Sequence, residues 1–202
     1  LRQCFNALQL YTDTTPANVV ERLQGASVVI SNKILLNADT LAQCPDLKLI
    51  LIAATGTNNV DLEAARAHGM VVANCQGYGT PSVAQHTLML LLALATRVID
   101  YQKAVCAGEW QTAKQFCLLD FPIVELEGKT LGLFGHGELG SAVAKLAEAF
   151  GMRVLLGQIP GRPARPDRLA LNELLPQVDA VTFHCPLNEH THHFIGAPQL
   201  AL

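Results

Sequence analysis

One hexapeptide, Gly135-His136-Gly137-Glu138-Leu139-Gly140, constrains the fold of this chain more than any other feature. An apolar run, Thr130–Phe134, precedes it. An amphipathic run, Leu139–Phe150, follows and stops at Gly151. A strand, a glycine loop and then a helix is the setting in which three glycines at this spacing have separate tasks. Gly135 permits the tight turn, Gly137 lets backbone approach a pyrophosphate, and Gly140 lets the helix lie close on the sheet. The helix N-terminus offers unpaired amides and a partial positive charge to that pyrophosphate. The loop therefore predicts a bound dinucleotide. A glycine-rich strand–helix turn without a ligand is the alternative that these residues alone leave open.

The rest of the chain reads as the same kind of fold. Strands are expected at Leu8–Tyr11, Ala26–Ser31, Leu47–Ala53 and Met70–Asn74, with Leu47–Ala53 apolar enough to be buried on both faces. Helices are expected at Pro16–Gln24, near Ala38–Gln43 and at Asp61–His68, the last closed by Gly69. Thr80 is read as the cap of a long helix with Pro81 at its first position, running to about Tyr101 and apolar nearly all round, hence buried. Residues 102–127 show no period, and an arm or lid is expected there. After the glycine loop, strands are expected at Arg153–Gly157 and Ala180–His184. A loop covers Gly161–Asp167, a helix Asn172–Gln177, and a histidine-rich loop closes the chain. Alternating strands and helices imply parallel sheets flanked by helices.

The second strand after the loop bears on the choice of cofactor. An acid about 20 residues beyond the loop binds the adenosine ribose hydroxyls in NAD-specific sites. Gln158 holds that position, and no acid occurs between Glu148 and Asp167, whereas Arg162 and Arg165 do. A carboxylate about 4 Å from a phosphate charge repels it by about 4 kcal/mol at an effective dielectric near 20. Its absence, with arginine added, favours NADP, although solvated arginines with NAD bound stay open as a reading.

Bulk composition narrows the classes. The 202 residues are 50% hydrophobic and 15% charged, with net charge −3 and no basic stripe. That excludes a disordered chain and gives no support to a nucleic-acid partner. The most apolar run, Leu88–Ala95, is too short to span a bilayer, so no membrane role is expected. Six irregularly spaced cysteines without a C-x-x-C pair are read as free thiols in a reducing cytoplasm. The chain begins at Leu1 and ends at Ala201-Leu202 inside what reads as an unfinished element, so a fragment is expected.

Four motifs carry a resemblance: ATGTNNVDLEAA at 54–65, NCQGYGTPSVAQHTLMLLLAL at 74–94, GKTLGLFGHGELG at 128–140 and FHCPLNEHTHHFIG at 183–196. The chain resembles the D-isomer-specific 2-hydroxyacid dehydrogenases, and its motifs are most like those of the glycerate dehydrogenase (hydroxypyruvate reductase) branch. The resemblance implies an α/β fold of two doubly wound parallel-sheet domains. A partial, flavodoxin-like substrate domain would cover 1–76 and a Rossmann cofactor domain 77–202. It implies NADP or NAD as cofactor, a small 2-keto or 2-hydroxy acid as substrate, and a homodimer built around the long helix and the arm after it.

Residue roles follow where the motifs match. Thr55 and Gly56 lie in the turn that holds the substrate carboxylate beside the nicotinamide in similar enzymes, which makes Thr55 a cofactor candidate as well. Asn32 and Lys33 end another strand and are candidates to line the substrate pocket. Gly135, His136, Gly137, Glu138, Leu139 and Gly140 would cradle the pyrophosphate, with Gln158 and Arg162 at the adenosine ribose and His184, Cys185 and Pro186 shaping the pocket wall. Thr80 is a candidate for nicotinamide contact, and capping explains it equally well. Gln85 stands where the family commonly has Glu. The family's catalytic Arg, Glu and His match no residue of 1–202, so no catalytic residue is assigned within the chain. His184 is a poor candidate for proton donor, and His86 reads as a core residue. The spacing of His190, His192 and His193 matches no common zinc pattern, so no metal is assigned. Two alternatives remain: a dinucleotide-sensing, corepressor-like binding protein, or a phosphoglycerate, formate or D-lactate dehydrogenase.

Overall fold

Strand geometry is only available to a run that has a neighbour to pair with, and the computed structural model, which describes residues 7–202, shows where neighbours exist. The chain divides into two compact units, one ending at Gly77 and one spanning Tyr78–Leu202.

The first unit alternates α1 (Val19–Leu23), β1 (Val28–Ser31), α2 (Ala38–Ala42), β2 (Leu49–Ile52), α3 (Leu62–Ala67) and β3 (Val71–Asn74). Its parallel sheet runs β1-β2-β3. Short polar side chains start the helices: Asn37 accepts the Thr40 amide at 2.9 Å, and Asp61 accepts the Ala64 amide at 2.9 Å. Gly69, at φ +70, ends α3. Ile50, Ile52, Leu41 and Leu47 form its core.

Two expectations are corrected in this unit. Leu8–Tyr11 is not a strand: it pairs with no neighbour among the described residues, Leu10 and Tyr11 are exposed, and the Tyr11 ring lies under the Arg22 guanidinium instead. β2 is not buried on both faces: Ile50 and Ile52 are sealed, while Leu49 and Leu51 on the opposite face are half-buried. The continuous apolar run conceals a one-sided strand.

The second unit opens with α4 (Thr80–Ala95), α5 (Val98–Cys106) and α6 (Glu109–Thr112). It continues through β4 (Thr130–Phe134), α7 (Glu138–Ala149), β5 (Arg153–Gly157), α8 (Leu171–Leu174), a 3-10 turn at Leu175–Gln177, β6 (Ala180–Phe183) and α9 (Ala197–Leu200). The long helix does not reach Tyr101. It breaks after Ala95, where Arg97 takes a left-handed φ of +54, and α5 leaves at 64° to α4. The segment beyond α6 is tied back: the Tyr101 hydroxyl donates to the Phe121 carbonyl at 2.8 Å, and the Val124 amide donates to the Ala95 carbonyl at 2.8 Å.

α4 is not buried all round either. Ala84 and Leu88 are sealed in the core with Leu131, Val143 and Ala144. Met89, Leu90 and Leu94 are exposed, Leu94 at 76%, and so is His86, which is therefore not a core residue. Uniform apolarity removes the signal that tells a covered face from an uncovered one.

The second sheet has the order β5-β4-β6, all parallel. Every residue of the central β4 is buried. Chain order reverses at β4: β5 lies on one side and β6 on the other. Such a reversal opens a crevice beyond the carboxyl ends of the strands, and ligands of parallel sheets bind there.

Candidate functional site

The glycine loop stands at that reversal. Gly135 follows β4 directly with φ +102, and a side-chain carbon on it would lie 2.5 Å from the backbone of His184 at the end of β6. The loop and the end of β6 are thus in backbone contact. A carbon on Gly140 would strike the Gly135 carbonyl oxygen, so α7 approaches as closely as two backbones allow. Gly137 differs from both: a carbon there would meet no protein atom within 4 Å. Packing does not require glycine at 137, which leaves open space in front of the first amides of α7.

These residues border a cavity of ≈ 400 Å³. Gly135, His136 and Gly137 form one wall, Gln158 and Arg162 another, and His184, Cys185 and Pro186 a third. Eight of the residues singled out from the sequence are therefore gathered at one place. Glu138, Leu139 and Gly140 stand behind the wall, at the start of α7, and Gly140 is buried. Thr80 makes no capping bond. Gly79 is the cap, Thr80 is the first helical residue, and its hydroxyl donates to Glu138 Oε1 at 2.7 Å.

Gln158 does more than replace an acid. Its Nε2 donates to the carbonyls of Ile159, Arg162 and Pro163 at 3.2, 3.0 and 3.1 Å. Three carbonyls can only be met by N–H groups, which fixes the amide orientation. Its Oε1 is left buried without a partner. A neutral acceptor with no donor suits a ribose hydroxyl.

Sequence reading missed Arg168. It lines the same cavity with Arg165, and its Nε is buried without a partner. A bridge between Gly157 and Leu169 brings it there, with the Gln158 amide donating to the Leu169 carbonyl at 2.7 Å. No local pattern signals this bridge. The density of arginine in 162–168 was the only hint. Arg165 is held by Asp167 through bonds of 3.0 and 3.2 Å, whereas among the described residues Arg162 and Arg168 carry no ion pair.

The loop after β6 packs against the arginine loop. Thr191 is buried and donates to the Pro186 carbonyl at 2.7 Å, and the His190 ring lies against Gly161 of the arginine loop. Burial pushes the His184 imidazole below its ordinary pKa, and its Nε2 lies 3.0 Å from Thr182 Oγ1. The ring is turned toward its own strand and lines the cavity beside Gly135. Burial likewise raises the Cys185 thiol.

In the first unit, Asn32 and Lys33 follow β1 and Thr55 and Gly56 follow β2, all exposed at the carboxyl ends of parallel strands. Asn74 Nδ2 donates to the Thr55 carbonyl at 2.7 Å and steadies that turn.

The residues fit a dinucleotide: open space at Gly137, a helix N-terminus behind it, and two unpartnered polar atoms, Gln158 Oε1 and Arg168 Nε. Comparison with known proteins agrees. Residues 88–202 match the family described as D-isomer specific 2-hydroxyacid dehydrogenase, NAD binding domain. The chain belongs to the D-isomer specific 2-hydroxyacid dehydrogenases.

It is 45% identical over 186 residues to a glycerate dehydrogenase of Methylorubrum extorquens, covering 92% of this chain and 58% of that protein. It is 34% identical over 192 residues to a hydroxypyruvate reductase of Blautia hydrogenotrophica, covering 93% and 60%. Among solved structures, the TT0316 protein of Thermus thermophilus matches with TM-score 0.81 at 36% identity, covering 93% of this chain and 60% of that one. The chain thus spans about three-fifths of the length of these 2-hydroxyacid dehydrogenases and related proteins.

Proposed function

We propose that this 2-hydroxyacid dehydrogenase chain serves an oxidoreductase that reduces hydroxypyruvate or glyoxylate, oxidises D-glycerate in reverse, and accepts NADP(H) as well as NAD(H). The observation that carries the cofactor reading is the wall at the end of β5. A neutral Gln158 stands where an acid would exclude a 2′-phosphate, and Arg162, Arg165 and Arg168 border the same cavity. Two of these guanidinium groups carry no ion pair among the described residues, and guanidinium pairs with phosphate through charge-assisted bonds.

Within this reading, residues 77–202 bind the dinucleotide and residues 1–76 bind substrate. The amides of Gly135–Gly140 and the start of α7 hold the pyrophosphate. Gln158 Oε1 accepts a ribose hydroxyl, and His184, Cys185 and Pro186 keep water from one side. Thr55 and Gly56 present backbone to the substrate carboxylate, and Asn32 and Lys33 supply further polar contact. The dinucleotide supplies or takes the hydride. No residue of 1–202 is assigned to polarise the ketone or move the proton. The exposed apolar side chains of α4 and α5, among them Leu90, Leu94 and Ile99, support a homodimer. The five described cysteines are unpaired, which supports a reducing, cytoplasmic setting.

Binding and turnover test this separately. Calorimetric titration of the 202-residue chain is expected to show saturable binding of NADPH and NADH, and absence of both overturns the dinucleotide reading. Turnover is measured on protein of the full length of its relatives, following NADPH oxidation with hydroxypyruvate, glyoxylate, pyruvate and phosphohydroxypyruvate. Preference for either of the last two moves the assignment to another 2-hydroxyacid dehydrogenase. The 202-residue chain itself is expected to bind without turning over, and rapid saturable NADPH oxidation by it would overturn the absence of catalytic residues.

A further inference from the structure

Glu138 puts a carboxylate at the edge of the dinucleotide site. It is the first residue of α7, directly after Gly137, and its carboxylate shares that helix end with the place a pyrophosphate takes. An acid in the first helical turn favours the helix for the same reason that a phosphate binds there, since both answer the exposed amides and the partial positive charge. Among the described residues Glu138 forms no ion pair. Left to rotate, it competes with the ligand and repels it.

The structure shows what restrains it. The Thr80 hydroxyl donates to Glu138 Oε1 at 2.7 Å, across 58 positions of sequence. Thr80 is not spent on capping, because Gly79 occupies the cap position and no side-chain cap bond is made there. Its backbone is the first turn of α4, and α4 is locked to α7 through the shared core of Ala84, Leu88, Val143 and Ala144. The donor is therefore anchored on a packed helix and not on the glycine loop.

We propose that Thr80 is a positioning residue that holds the Glu138 carboxylate aside from the pyrophosphate place at the start of α7, so that the pair sets dinucleotide affinity. This rests on the dinucleotide reading of the cavity. It differs from a direct contact of Thr80 with the nicotinamide, because the effect passes through the Glu138 charge and depends only on the phosphates.

The test is a double-mutant cycle read by calorimetric binding of NADPH and of ADP, which has the pyrophosphate and no nicotinamide. Thr80→Val keeps shape and removes the donor. It is expected to raise the Kd of both ligands about fivefold at low salt, and the loss should shrink as salt screens the charge. Glu138→Gln is expected to lower both Kd values by about the same factor. In the Glu138→Gln background, Thr80→Val should then change neither Kd. Thermal unfolding of each variant checks that the fold is kept. A Thr80→Val loss that is the same size in both backgrounds, or is confined to NADPH and absent with ADP, overturns the proposal and assigns Thr80 a direct contact. If wild-type chain binds neither ligand, the dinucleotide reading itself fails, which is a distinguishable result.

Discussion

A side-chain carbon placed on Gly140 runs into the carbonyl oxygen of Gly135, whereas one placed on Gly137 touches nothing. Packing thus demands glycine at 140 and makes no such demand at 137. Gly140→Ala is expected to destabilise the second unit by about 1–3 kcal/mol, the usual cost of forcing a methyl into packed structure. Gly137→Ala is expected to leave the unfolding temperature nearly unchanged and to weaken dinucleotide binding at least about tenfold, through the lost approach of backbone to phosphate. Thermal unfolding and calorimetry on both variants check this, and equal losses of stability would contradict it.

The wall at the end of β5 is expected to govern the ratio of cofactors. Gln158→Asp puts a carboxylate beside the 2′-phosphate position and is expected to raise the Kd of NADPH relative to NADH by about 100-fold or more, from a repulsion of about 4 kcal/mol at 4 Å. Arg168→Ala is expected to weaken NADPH by about 10- to 100-fold, the range of one charge-assisted bond at about 1.5–3 kcal/mol, and to spare NADH. Arg165→Ala should cost less, because Asp167 already holds that guanidinium. Paired titrations with the two cofactors decide. An unchanged ratio in Gln158→Asp would show that this strand end does not read the phosphate.

Asp179 links two neighbouring strands of the second sheet. The Thr130 amide donates to it at 2.8 Å and the Lys129 ammonium lies 3.3 Å away, and these hold its carboxyl below the ordinary Asp value. A carboxylate depressed in the folded state contributes stability that is present above its unfolded pKa and is lost as pH falls through the folded one. Asp179→Asn is therefore expected to lower the unfolding temperature by a few degrees at neutral pH and to narrow the gap from wild type as the solution becomes strongly acid. The pair is half exposed, so the effect stays small. Unfolding curves across the acid range provide the measurement. A gap that stays constant with pH would assign the effect to something other than charge.

The uncovered side of α4 is expected to be an interface between copies. Leu94 is 76% exposed on a helix whose opposite face is already packed. Leu94→Glu should leave helical content intact and shift the protein from dimer to monomer in sedimentation equilibrium. A wild-type chain that is monomeric at every concentration, or a variant that stays dimeric, contradicts this.

Much of the second unit was legible in the sequence. Thr130–Phe134 and Arg153–Gly157 were read with the bounds they have, because short β-favouring runs flanked by glycine leave little choice of ends. Gathering the glycine loop, Gln158, Arg162 and His184–Pro186 around one cavity follows from parallel strands whose carboxyl ends share an edge. Leu8–Tyr11 misled because apolar residues describe a strand's face and say nothing of whether a partner strand exists. The reach of the long helix misled because the reversal at Arg97 is a backbone event without a glycine or proline to announce it.

The sequence by itself determined the glycine loop between a strand and a helix, the alternation that makes both sheets parallel, the missing acid at Gln158 and the family motifs. All of these are local patterns, fixed by backbone sterics and side-chain period. Only the tertiary structure decided that Arg168 joins the cavity through the Gly157–Leu169 bridge, that Gln158 spends its amide on three loop carbonyls, and that Thr80 restrains Glu138 instead of capping its helix. Each of these depends on which segments pack together, and packing is set by the whole chain's burial of apolar surface, to which no short stretch of residues gives access.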